Sequence, residues 1–125
     1  MKRISLILTT VVLFMSCGHN AKHIHTLETE EFGQTIKEHG MPLVDVRTAE
    51  EYAEGHLAGA VNVDVNKSDF ADRVSEMGDT VAVYCLRGGR SLKAAKLLAA
   101  KGMVVYNLAG GITEWQNSGG ATTKE

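Results

Sequence analysis

The sequence contains only two cysteines, Cys17 and Cys85, in 125 residues. They can form at most one bridge, so neither a small scaffold stapled by several disulfides nor a four-cysteine zinc site is possible. An excess of charge of one sign is also lacking. Thirteen basic residues stand against 15 acidic ones, the formal net charge is −2, and no long basic run follows Arg3. The electrostatic footprint of a general nucleic-acid binder is therefore missing. The apolar stretch Ile4 to Met15 is too short for a permanent membrane span, because 12 residues of helix rise about 18 Å against a hydrocarbon core of about 30 Å. There is no internal repeat and no low-complexity tract. What remains is a chain of one-domain length, with 44% apolar and 22% charged residues, the balance of an ordinary globular protein.

Lys2 and Arg3 ahead of the uncharged stretch Ile4 to Met15 read as an export signal covering residues 1–16. Phe14-Met15-Ser16-Cys17-Gly18 resembles the lipobox of bacterial lipoproteins, in which a small residue precedes a cysteine that is lipidated and becomes the new N-terminus. Lipidation would consume a thiol that is otherwise an oxidation liability in an exported protein. This resemblance implies a lipid on Cys17, a polar tether over 17–22, and an exported, periplasmic or cell-envelope protein held at the membrane. The folded domain is expected over 23–118, as a monomer, with 119–125 a small, polar, flexible tail.

Within 23–118, strand and helix signals alternate. Phe32 and Ile36, one turn apart, mark a helix that Gly40 ends. Leu43 to Val46 is a short buried strand, Thr48 to Ala53 a short helix, and Ala60 to Val65 the next strand candidate. Phe70 and Val74 share a helical face between a cap at Ser68 or Asp69 and Gly78. Thr80 to Tyr84 is the clearest strand; Ser91 opens a helix to Gly102, Val104 to Leu108 is a strand, and Gly110-Gly111 precedes a last helix around Trp115. Such alternation predicts an α/β fold with parallel strands joined by right-handed crossovers.

Cys85 falls at the carboxyl end of a strand and before a helix, where an open α/β sheet binds its ligand. Backbone N–H groups of Leu86 to Arg90, the helix dipole behind Ser91, and the charges of Arg87 and Arg90 are each expected to favour thiolate over thiol. Gly88 and Gly89 suit a loop that needs positive φ. Asp45-Val46-Arg47, Glu51-Tyr52 and Gly55-His56-Leu57-Ala58-Gly59-Ala60-Val61-Asn62, then Val83 to Ser91, then Gly110-Gly111-Ile112-Thr113-Glu114-Trp115, resemble in order and spacing the signatures of the rhodanese family of sulfurtransferases.

The resemblance implies a rhodanese-like fold, a five-stranded, mostly parallel sheet flanked by helices. It also implies a reaction: Cys85 takes a sulfane sulfur from thiosulfate or a similar donor, forms a persulfide and passes the sulfur to cyanide, a thiol or a protein acceptor. Leu86, Arg87, Gly88, Gly89, Arg90 and Ser91 would form the substrate-binding loop, with no metal and no organic cofactor required. Four residues separate Cys85 from Arg90, one fewer than in the cysteine-phosphatase pattern, so the cradle suits a single sulfur better than a phosphate. A non-enzymatic or protein-directed sulfur-carrier or recognition module is the alternative from another class, and a cysteine phosphatase the enzymatic one.

Asp45 and Arg47 read as strand-end structure, with Arg47 also a second-tier candidate at the pocket mouth. His56, among glycines, reads as structural, and Trp115 as a packing residue. His19, His23 and His25 lack a carboxylate or cysteine partner and read as a solvated group rather than a metal site.

Overall fold

A computed structural model describes residues 23–125; the export segment 1–16, Cys17 and the tether to Lys22 lie outside the described residues. Short β-branched runs become strands and the amphipathic segments between them become helices, in the order β1 (Ile24–Leu27), α1 (Thr29–His39), β2 (Leu43–Asp45), α2 (Ala49–Glu54), β3 (Val61–Asn62), α3 (Phe70–Ser75), β4 (Thr80–Tyr84), α4 (Gly89–Ala100), β5 (Val104–Leu108) and α5 (Gly111–Asn117). The strands form one sheet in the order β1-β5-β4-β2-β3, and all its pairings are parallel.

Alternation along β4 sets the two cores. Val81, Val83 and Cys85 face one side, where Ala94, Ala95 and Leu98 of α4 and Phe70 and Val74 of α3 cover them. Ala82 and Tyr84 face the other, among Phe32 of α1, Leu57, Leu108 and Ile112 of α5. Burying each large apolar side chain contributes about 1.5–3 kcal/mol, so the central strand is fixed from both faces.

Strand order then places the site. From β2 the chain moves outward to β3, whereas from β4 it moves the opposite way to β5, yet β2 and β4 are neighbours. Their carboxyl ends flank the crevice where crossovers diverge, the position at which open α/β sheets bind ligands. Cys85 is the first residue beyond β4.

Two expectations need correction. The strand sought over Ala60 to Val65 is regular only at Val61–Asn62; Val63 and Val65 N–H groups still donate to the Asp45 and Val46 carbonyls at 3.0 and 3.1 Å, but the chain then turns, with Asp64 Oδ1 accepting from the Asn66 N–H at 2.9 Å. Residues 119–125, expected to fray, instead fold back over the domain. His56 N–H donates to the Thr123 carbonyl at 2.9 Å, Thr123 N–H returns to His56 at 2.8 Å, and Trp115 Nε1 donates to the Ala121 carbonyl at 2.9 Å. Gly120 permits this, since a Cβ there would run into the Trp115 indole.

Candidate active site

The loop after β4 is tied down at its start. Cys85 and Leu86 carbonyls accept from the Ile112 and Thr113 N–H groups at 2.9 and 3.1 Å, so the first turn of α5 holds the loop against the sheet. Gly111, at φ +61°, lies so close that a Cβ would collide with the Leu86 carbonyl. Gly88 has φ +113° and aims its N–H at Cys85 Sγ, 3.0 Å away. Gly89 has ordinary φ and open space around it, so the positive-φ requirement falls on Gly88 and not on both glycines.

Cys85 is only 1% exposed. Burial is the largest single influence on its thiol and pushes the pKa up, but hydrogen bonds outweigh it: the Ser91 hydroxyl and the backbone N–H groups of Ser91, Gly88 and Arg87 together hold it below the ordinary thiol value. Ser91 Oγ lies 3.4 Å from Sγ and 3.1 Å from the Gly88 carbonyl. Its single proton can serve the carbonyl when the thiol is intact and turn to the sulfur when the thiolate forms.

The arginines are not arranged as the spacing suggests. Arg90 places Nη1 and Nη2 on Glu51 Oε1 and Oε2 at 2.6 and 2.8 Å, a bidentate pair. Glu51 is fixed in turn by a capping box: Thr48 Oγ1 accepts from the Glu51 N–H at 3.2 Å, and Glu51 Oε1 accepts from the Thr48 N–H at 3.4 Å. The Arg90 hydrogen bond lowers the Glu51 pKa to about 2, so the pair is charged throughout the neutral range. Arg90 therefore braces α4 against α2, and its charge, although paired with Glu51, still interacts favourably with the Cys85 sulfur. Arg87 is exposed and makes no salt bridge to a described residue.

Arg47 follows its strand-end reading. It is 5% exposed, with Nη2 at 2.6 Å from Asp45 Oδ2 and 2.7 Å from the Gly55 carbonyl, and its guanidinium stands 5.8 Å from the Tyr84 ring centre. The Tyr84 hydroxyl donates to Asp45 Oδ2 at 2.8 Å and accepts from the Leu57 N–H at 3.0 Å. Nε and Nη2 of Arg47 are thus both engaged in this network, which holds its guanidinium within the scaffold. His56 is buried and stacked on Tyr52 at 3.7 Å, with Nδ1 2.9 Å from the Tyr52 carbonyl and Nε2 2.7 Å from the Glu125 main-chain oxygen. It is a packing residue, as its sequence context suggests.

A thiol held by convergent N–H groups at the end of a central parallel strand invites comparison with known proteins. The family model described as "Rhodanese-like domain" matches residues 28–118. The chain belongs to this rhodanese-like family. A relative named thiosulfate sulfurtransferase GlpE, from Pseudomonas fluorescens strain SBW25, is 39% identical over 90 residues, covering 70% of this chain and 82% of that protein. Thiosulfate sulfurtransferase PspE of Escherichia coli K12 is 36% identical over 73 residues, covering 57% of this chain and 70% of that one. Among solved structures, a rhodanese-related protein from Thermoplasma volcanium superposes with a TM-score of 0.71 at 24% identity, over 81% of this chain and 99% of that chain. That match supports the rhodanese fold, a five-stranded parallel sheet flanked by helices.

Two residues of the rhodanese-like site escape the sequence reading as working parts. Glu51 appears there only within a motif, although Thr48-x-x-Glu51 is a capping-box signal that locates it at a helix start. Gly111 appears only as part of a closing motif, and no local signal shows that it abuts the Cys85 loop.

Proposed function

We propose that the protein is a sulfurtransferase in which Cys85 carries the sulfur. The observation that carries this reading is the Cys85 thiol itself, buried, below its ordinary pKa, and held by amide N–H groups in a loop with four residues before Arg90. The names of the relatives support thiosulfate as donor. In the first step the Cys85 thiolate attacks the outer sulfur of thiosulfate; a bond to that sulfur forms, the donor S–S bond breaks, and its electron pair leaves with sulfite. Arg87, exposed beside the mouth, is the cation available to sulfonate oxygens, while the loop N–H groups stabilise the anionic persulfide. Cyanide or a thiol then takes the sulfur and returns Cys85 to thiolate.

Incubation with thiosulfate followed by intact mass measurement tests this directly. One added sulfur on the wild type and none on Cys85→Ser is the expected result; a wild-type chain that gains no sulfur overturns the reading. Phosphatase turnover without a persulfide would support the cysteine-phosphatase alternative instead.

Export and anchoring are proposed from the sequence of residues 1–17 alone. Incorporation of a palmitate analogue that disappears in Cys17→Ser is the expected result, and equal labelling or none in both chains overturns it.

A further inference from the structure

The solvent-facing side of α4 does not look like an ordinary solvated helix. Four large apolar side chains are left exposed among the described residues, and three of them, Leu86 (39%), Leu92 (39%) and Leu97 (41%), lie on the Cys85 loop or the helix it opens. The charge there is equally uneven. Residues 86–101 hold five of the chain's 13 basic residues and none of its 15 acidic ones. Arg90 is paired with Glu51 and Lys101 with Asp72, while Arg87, Lys93 and Lys96 have no salt-bridge partner among the described residues. At 100° per residue, Gly89, Leu92, Lys93, Lys96, Leu97 and Ala100 fall on one face, opposite the buried Ala94, Ala95 and Leu98. These six line a groove of about 380 Å³ that begins in the catalytic loop and runs along a helix about 18 Å long.

Resting on the sulfurtransferase reading, we propose that this face is the docking surface for a protein sulfur acceptor. Its occupant is an acidic segment with apolar side chains and a cysteine thiol. Charge complementarity commits the surface to an acidic partner, since a net-negative protein has concentrated unpaired cations here. Position commits it to the acceptor. The groove starts at Gly89, next in the chain to Gly88, whose N–H donates to Cys85 Sγ at 3.0 Å, so a chain lying along α4 can bring its thiol to the Cys85 loop. Leu86 places apolar surface at that rim. In the transfer, the acceptor thiolate attacks the outer sulfur of the Cys85 persulfide. The acceptor S–S bond forms as the Cys85 S–S bond breaks, its electron pair returns to Cys85 as thiolate, and the sulfane sulfur keeps its oxidation state.

The test uses Cys85 persulfide loaded from thiosulfate and three acceptors: cyanide, a synthetic peptide with one cysteine among glutamates and leucines, and the same peptide with lysines for the glutamates. The acidic peptide should be sulfurated about tenfold faster than the basic one at low salt, with the advantage fading as salt rises. Lys93→Glu/Lys96→Glu should reverse that preference, Leu92→Ser/Leu97→Ser should slow both peptides, and both variants should keep wild-type transfer to cyanide. Equal rates for the two peptides, or a preference that survives the lysine reversal, overturns the docking surface while leaving sulfur transfer standing. Lysine-dependent sedimentation with phosphatidylglycerol vesicles and no peptide preference assigns the face to a membrane and likewise overturns it. Failure of all three acceptors, cyanide included, removes the sulfurtransferase reading and this one together.

Discussion

Two arginine–carboxylate pairs stand on adjacent strand ends and behave differently. Asp45 and Arg47, at the end of β2, are 0% and 5% exposed and share their network with Tyr84; Glu51 and Arg90, beside the end of β4, are 27% and 31% exposed and join two helices. The first pair is enclosed within the scaffold. Removing one partner there leaves a buried charge without compensation, which is far more costly than the pair's own net contribution. The second pair is partly solvated, so it adds little to stability and instead ties α2 to α4, the helix that opens at the Cys85 loop. The same chemical motif thus serves the core in one place and the join between two helices in the other.

The comparison breaks most readily at the buried pair. Asp45→Asn should cost about 3–5 kcal/mol in denaturant unfolding, with the Arg47 charge left uncompensated. If it unfolded no earlier than Glu51→Gln, the division between scaffold and brace would be wrong. Gly111→Ala should come next: a non-glycine residue at φ +61° costs about 1–3 kcal/mol, and the displaced Leu86 carbonyl shifts the loop, lowering sulfur transfer about a hundredfold. Transfer kinetics and a melting curve on one sample separate the two effects.

Glu51→Gln should reverse the balance, with stability changed by no more than about 1 kcal/mol and transfer reduced roughly tenfold or more. Its pH dependence has a definite sign. Because the folded pKa of Glu51 is depressed from 4.5 to about 2, its contribution is complete above about 4.5 and disappears as pH falls through about 2. Wild type and Glu51→Gln should therefore converge in stability only in that acidic window. The smallest effect is expected at the exposed Lys101–Asp72 pair, where Asp72→Asn should leave both melting temperature and transfer unchanged. A measurable loss there would show that exposed pairs matter more in this fold than their solvation implies.

Much of the fold is legible because burial writes itself into short runs. Thr80–Tyr84 and Val104–Leu108 follow directly from β-branched side chains that must be covered on both faces. The place of the thiol is legible too, since Cys85 sits between an apolar strand and a glycine loop and the structure buries it just beyond β4. What is hidden depends on partners distant in sequence. The partner of Arg90 stays hidden until the fold brings Glu51, 39 positions earlier, against it. Residues 119–125 look like a tail because small polar residues carry no periodicity, and only the assembled domain offers them His56 and Trp115 as partners. Arg47 is similar: the sequence places it at a strand end, but its burial depends on Tyr84, Gly55 and Asp45 closing around it.

The Cys85 loop also has one fixed end and one adjustable end. Its first two carbonyls are fastened to the Ile112 and Thr113 amides, with Gly111 leaving no room behind them. An inserted residue must therefore be absorbed on the Arg87 to Arg90 side, where it would push the guanidinium away from Glu51. Lengthening this loop by one residue would thus require a new position for the carboxylate that holds Arg90 as well, a coupled step that single substitutions cannot supply.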